Sequence, residues 1–114
     1  MKIIISLEED NALNSKLSKH FGMCNFFAIY QSETKRLEII KNKNDHSLKN
    51  SNISEEIIKY KPDIIFSLGM GQKAISFFNE KQILIKNGNY KILNEVINNL
   101  NNLKDIKESC KKES

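Results

Sequence analysis

Hydrophobic residues enter this chain in short β-branched runs, and only later at helical spacing. Lys2 to Leu7 (KIIISL) is an apolar run of the kind that forms a strand covered on both faces. Glu8 to Met23 is polar, contains Asn, Ser and Gly, and is long for a plain connection; loops of that length are often functional. Phe26 to Gln31 (FFAIYQ) predicts a second strand and Arg36 to Lys41 (RLEIIK) a third. The four residues Ser32 to Lys35 between them predict an antiparallel hairpin. A second polar loop runs from Asn42 to Asn52. Asn52 and Glu55 have the spacing of a capping box, Ile53, Ile57 and Tyr60 share a helical face, and Pro62 stops that helix. Asp63 to Leu68 (DIIFSL) predicts a fourth, buried strand. It runs into Gly69-Met70-Gly71 and then a helix with Ala74, Phe77 and Phe78 on one side. Gln82 to Ile85 predicts a fifth short strand. Ile92, Leu93, Val96, Ile97, Leu100 and Leu103 describe one apolar stripe and predict the last helix.

The order is therefore β-β-β-α-β-α-β-α. Strands one, four and five have the doubly covered pattern of parallel strands, and the hairpin reverses strand two. A three-layer α/β/α sandwich around a mixed five-stranded sheet satisfies both conditions. At 114 residues the chain fits one domain, assigned to residues 1–103. Residues 104–114 are charged and lack the stripe, and are expected to form a mobile tail.

Composition narrows the functional classes. The longest apolar runs, Ile3-Ile4-Ile5 and Ile64-Ile65-Phe66, fall far short of the about 18 residues of a membrane span. The N-terminus has no signal-peptide pattern, so a cytoplasmic location is expected. Cys24 and Cys110, the two cysteines, make no disulfide framework. The formal charge of +4 rests on 17 Lys and one Arg, in a chain with 17 Ile and 15 Asn; that skew is compositional, and basic residues do not cluster as a nucleic-acid footprint requires. Neither nucleic acid nor membrane is an expected partner.

Topology decides which loops meet. With strand two antiparallel to strand one, the loop after strand one, the residues before strand two, the loop after strand three and the turn after strand four share one edge. Ligands in open α/β sheets bind at the carboxyl ends of parallel strands. His20, Cys24 and His46, with Gly69 and Gly71, are therefore expected on one rim. Two imidazoles and a thiol suit iron, zinc or an iron–sulfur cluster, and three donors cannot complete a four-cysteine cage, which fits transient holding. Gly69-x-Gly71 at a strand-to-helix junction would offer backbone N–H groups to an anion. The alternative is structural: Cys24 as a small buried hydrophobe, each His satisfying a loop hydrogen bond, and the glycines making a tight turn. Cys110 reads as an incidental thiol. No catalytic constellation emerges. A two-metal nuclease needs carboxylates at this edge, whereas Asp63 lies at the opposite end of its strand, and a Cys24–His pair lacks an orienting third group.

The opening MKIIISLEE, then His20-Phe21-Gly22-Met23-Cys24 leading into Phe27-Ala28-Ile29-Tyr30, resembles the dinitrogenase iron–molybdenum cofactor biosynthesis family, which includes small NifX-like proteins and the C-terminal domain of NifB. Asn44-Asp45-His46 and Ser67-Leu68-Gly69-Met70-Gly71-Gln72-Lys73-Ala74 continue the match to about residue 100. The resemblance implies a ribonuclease-H-like α/β/α fold with strand order 3-2-1-4-5. It also implies a non-enzymatic role: carrying an iron–sulfur-type cluster or an iron–molybdenum cofactor precursor between metallocluster assembly proteins, as a monomer or weak homodimer. His20 is then the first candidate ligand, with Cys24 and His46 in support. A metal-free protein-interaction module on the same fold is the competing expectation.

Overall fold

A computed structural model describes residues 1–42 and 53–106. β1 (Lys2–Leu7) takes the centre of the sheet because both its faces are apolar. Ile3, Ile5 and Leu7 point into one layer and Ile4 into the other, all fully buried. β2 (Phe26–Gln31) runs antiparallel beside it, with Leu7 opposite Phe26 and Lys2 opposite Gln31. β3 (Arg36–Lys41) closes the expected hairpin, Lys35 supplying the left-handed residue of the turn at φ 58°. On the other side β4 (Ile64–Phe66) and β5 (Leu84–Asn87) are parallel to β1.

Helices cover both faces. α1 (Ile53–Ile58) and α2 (Gln72–Glu80) bury Ile57, Ile75 and Phe78 against Ile4, Phe27, Ile65 and Ile85. α3 (Leu93–Ile97) places Leu93 and Val96 on the opposite face, over Ile3, Ile5, Ala28 and Phe66. The three-layer mixed α/β architecture and the antiparallel second strand are those expected. No helix among the described residues is long and apolar enough to cross a membrane.

The fourth strand is shorter than expected, Ile64–Phe66 within Asp63–Leu68, and three further differences each have a local reason. The sheet has six strands in the order β3-β2-β1-β4-β5-β6, the addition being β6 (Lys104–Asp105). These two residues, placed in the tail on charge, pair antiparallel with Lys86 and Asn87, and Lys86 Nζ lies 2.7 Å from Asp105 Oδ1. A two-residue strand is too short to leave a period. The fifth strand starts at Leu84 instead of Gln82 because α2 ends in a Schellman turn. Gln82 is left-handed (φ 62°), its N–H donates to Asn79 O, and the Ile83 N–H donates to Phe78 O. The last apolar stripe is one face but not one helix: α3 stops at Ile97, and Leu100–Asn102 forms a 3₁₀ turn. Asparagine competes with helical hydrogen bonding through its own amide; here Asn99 Nδ2 donates to Glu95 O at 2.8 Å. Asn52, the cap residue expected for α1, lies outside the described residues.

Leu93 has no exposed surface, whereas Leu84 is half exposed. Leu93→Ala is expected to lower stability by about 2–5 kcal/mol in urea unfolding, and Leu84→Ala to stay within about 1 kcal/mol of the parent chain.

Candidate functional site

The strand registers gather the predicted rim. Leu7 faces Phe26 and Phe26 faces Lys41, while Ile5 faces Phe66 and Phe66 faces Lys86. The carboxyl ends of β1, β3, β4 and β5 thus share an edge with the start of β2.

The segment between β1 and β2 is tied down along its length. Glu8 N–H donates to Lys16 O, Ser18 N–H to Ser6 O and Leu17 N–H to Lys91 O. The Ser15 hydroxyl, fully buried, donates to Ala12 O and accepts from the Asn11 N–H, holding a turn in which Ala12 has φ 50°. Leu17 buries its side chain in the α3 layer. Four residues later Phe21 is buried in the opposite layer, with ring centroids 5.6 Å from both Phe27 and Phe78. Ser18-Lys19-His20 must therefore pass over the sheet edge, which leaves His20 exposed at the rim.

Two serines shape the ground beneath it. Ser18 Oγ donates to His20 O at 3.0 Å and accepts from His20 N–H at 3.2 Å. Ser67 Oγ does the same for Gly69, at 2.8 and 3.3 Å. The two serine turns are joined by Phe21 N–H donating to Gly69 O at 2.9 Å. They are so close that a Cβ on Gly69 would stand 2.4 Å from Lys19 O. Gly69 is required by that approach. Gly71 is different: it is the N-cap of α2, in extended conformation, with no side-chain cap, and a Cβ there would meet nothing within 4 Å. The first turn of α2 therefore opens toward the rim with free backbone donors and the exposed Lys73, a setting favourable to an anion.

The structure brings His20, Gly69 and Gly71 to one place. Cys24 lies just beneath: it is 5% exposed and packed in the layer of Phe21, Phe27 and Ile4. Burial pushes its thiol up to about 11, partly offset by the Leu7 backbone, the Ser6 hydroxyl and the Asn42 amide. As placed it is the small buried hydrophobe of the structural alternative and not a donor displayed beside His20. His46 lies outside the described residues, as does Cys110. Among the described residues no group of three or more His, Cys, Asp and Glu side chains could hold a metal ion.

Sequence reasoning missed three residues here. Ser18 and Ser67 each stand two positions before the residue they hold, the spacing of a serine turn, which was legible but common. Asn42 Nδ2 donates to Cys24 O at 2.8 Å and Gly22 O at 3.3 Å and lies 4.0 Å from Cys24 Sγ. Nothing local marks that contact, because it spans 18 residues.

Fold and rim together define a small α/β/α domain that displays a histidine loop against a glycine turn at the carboxyl edge of its sheet. The model of the dinitrogenase iron-molybdenum cofactor family matches residues 1–103, and the chain belongs to that family. Among solved structures it is similar to PH0822, with 25% identity, 93% of this chain and 96% of that one covered, and a TM-score of 0.77. It is also similar to the apo form of the orange protein from Desulfovibrio gigas (14% identity, 94% and 93% covered, TM-score 0.83). A putative NifB protein from Thermotoga shares the fold over 98% of both chains, at 15% identity and a TM-score of 0.80. A search of curated proteins finds no match.

Two outcomes follow from this geometry. Gly69→Ala must displace backbone and is expected to cost about 1–3 kcal/mol in thermal or urea unfolding, against less than about 1 kcal/mol for Gly71→Ala. For Cys24 the folded pKa is raised above the ordinary 9.0, so the unfolded chain ionises first as pH rises. The stabilisation from keeping the thiol neutral is fully present below about pH 9 and is lost by about pH 11. The stability difference between the parent chain and Cys24→Ala is expected to fall by about 1–3 kcal/mol across that window.

Proposed function

We propose that this chain is a small, non-catalytic carrier that transiently holds an anionic metallocluster at the rim, of iron–sulfur type or an iron–molybdenum cofactor precursor, and passes it between assembly proteins in the cytoplasm. The observation that carries the reading is the display of His20. An imidazole is held out at the carboxyl edge by a serine turn, locked against a glycine turn, and placed beside the uncapped first turn of a nine-residue helix. An imidazole ligates iron, and helix N–H groups favour an anion, so the two act on the same cargo. Family membership supports the cargo class. A small donor set suits a cargo that must leave again.

In this reading His20 is the leading ligand. His46 and Cys24 are the supporting candidates, Cys24 as a sulfur that has to leave its buried position to reach the rim, while Gly69 and Gly71 permit close approach. Residues 1–103 are the carrier unit and residues 104–114 the segment beyond it, of which Lys104–Asp105 pair as β6. A metal-free interaction module is the second reading, and the burial of Cys24 is the observation in its favour.

Anaerobic reconstitution with ferrous iron and sulfide, followed by desalting, discriminates between them. The parent chain is expected to retain iron and sulfide with visible absorption, and His20→Ala to retain less than about a tenth as much. A chain that stays colourless under all such conditions, or a His20→Ala variant that loads fully, contradicts the carrier reading.

A further inference from the structure

Asparagine is a chemically labile residue, and among the 15 asparagines of the chain Asn87, the last residue of β5, is the one followed by glycine. A residue with no Cβ leaves its backbone nitrogen open to approach by a neighbouring side chain. Packing favours the glycine here. A Cβ on Gly88 would meet the Tyr90 ring at 2.5 Å, and that ring packs over Phe66 with centroids 6.4 Å apart.

The structure leaves both reacting groups free. Gly88 N–H donates to no group among the described residues, and the half-buried Asn87 carboxamide has no hydrogen-bond partner among them. Asn87 is held extended by its pairing with Lys104, the end of a two-residue ladder, and the end of so short a ladder opens readily. Asn14-Ser15 is the internal contrast. Ser15 is fully buried and its N–H donates to Ala12 O at 3.1 Å, so the nitrogen after Asn14 is engaged.

Position gives the reaction a consequence. Asn87 closes β5 at the carboxyl edge and, by alternation from Ile85, lies on the α2 side of the sheet. The uncapped first turn of α2 opens at the same edge and on the same side.

We propose that Asn87-Gly88 is a self-modification site in the folded chain, where deamidation places a carboxylate on the α2 side of the rim and limits the working life of that rim. Gly88 N attacks Asn87 Cγ, and the new C–N bond closes a succinimide. The Cγ–Nδ2 bond breaks, and Nδ2 takes up the Gly88 amide proton and leaves as ammonia. Water then opens the ring at either carbonyl, giving aspartate or isoaspartate. Either product adds one negative charge, and isoaspartate also inserts a methylene into the backbone opposite Lys104. An anion at the rim is then repelled. That effect on cargo rests on the carrier reading; the modification does not.

The test follows every asparagine by peptide mass mapping in the full-length chain, aged at mildly alkaline pH either folded or in urea. Folding is expected to slow Asn14 by about ten-fold, the factor that corresponds to the hydrogen bond Ser15 N–H keeps and Gly88 N–H lacks, and to leave Asn87 within about three-fold of its rate in urea. An Asn87 that stays unconverted in the folded chain, or is slowed as much as Asn14, overturns the site. Asn87→Asp and Asn87→Gln are then reconstituted anaerobically with ferrous iron and sulfide. Several-fold less iron in Asn87→Asp, with a deficit that shrinks in high salt, supports the effect on cargo. Equal iron, or a deficit that salt does not change, overturns that effect and leaves the site standing. No iron in any variant overturns the effect together with the carrier reading, whatever the mapping shows.

Discussion

Everything at the rim depends on the chain between β1 and β2 crossing the open edge of the sheet. Leu17 is buried in one apolar layer and Phe21 in the other, four residues apart. Two buried side chains of that size are worth several kcal/mol between them, far more than the surface hydrogen bonds around them. They leave the intervening residues no route except over the top of β1 and β4. His20 is exposed because its neighbour is buried on the far side. Its position is thus set by core packing and not by any contact the imidazole itself makes, so the side chain is left free for a ligand while its backbone is held.

The glycine turn after β4 is the other half of this arrangement. Backbone meets backbone there, through Phe21 N–H and Gly69 O and through the close approach of Lys19 O to Gly69. Only a residue without a Cβ allows that contact. The same turn delivers α2 with an open first turn. One junction therefore fixes the histidine loop and orients a helix end toward it, which is economical for a chain of this length.

Much of this was legible in the sequence. Unbroken runs such as Ile3-Ile4-Ile5 and Ile64-Ile65-Phe66 announced buried strands, the four-residue turn at Ser32 to Lys35 announced the hairpin, and these two facts alone put Glu8–Asn25, Asn42 and Gly69–Gly71 on one edge. The rest failed for physical reasons. The apolar stripe from Ile92 to Leu103 is real as a face, yet Asn98 and Asn99 divert the backbone from a continuous helix. Lys104 and Asp105 pair as a strand although their charges suggested tail. For Cys24 the sequence left two readings open, a displayed donor and a small buried hydrophobe, and the structure takes the second, burying Cys24 and leaving its neighbour Met23 outside. Contacts such as that of Asn42 with Cys24 depend on three-dimensional closeness between residues of no special type, and no one-dimensional pattern encodes them.

In the proposed reading the imidazole of His20 itself binds the cargo. Pulsed electron paramagnetic resonance on reduced, anaerobically reconstituted protein carrying ¹⁵N-histidine reads this directly. A histidine nitrogen coupled to the cluster in the parent chain, and missing when His20 is replaced by alanine, is the expected result. A bound cluster whose histidine coupling is absent, or persists without His20, contradicts it.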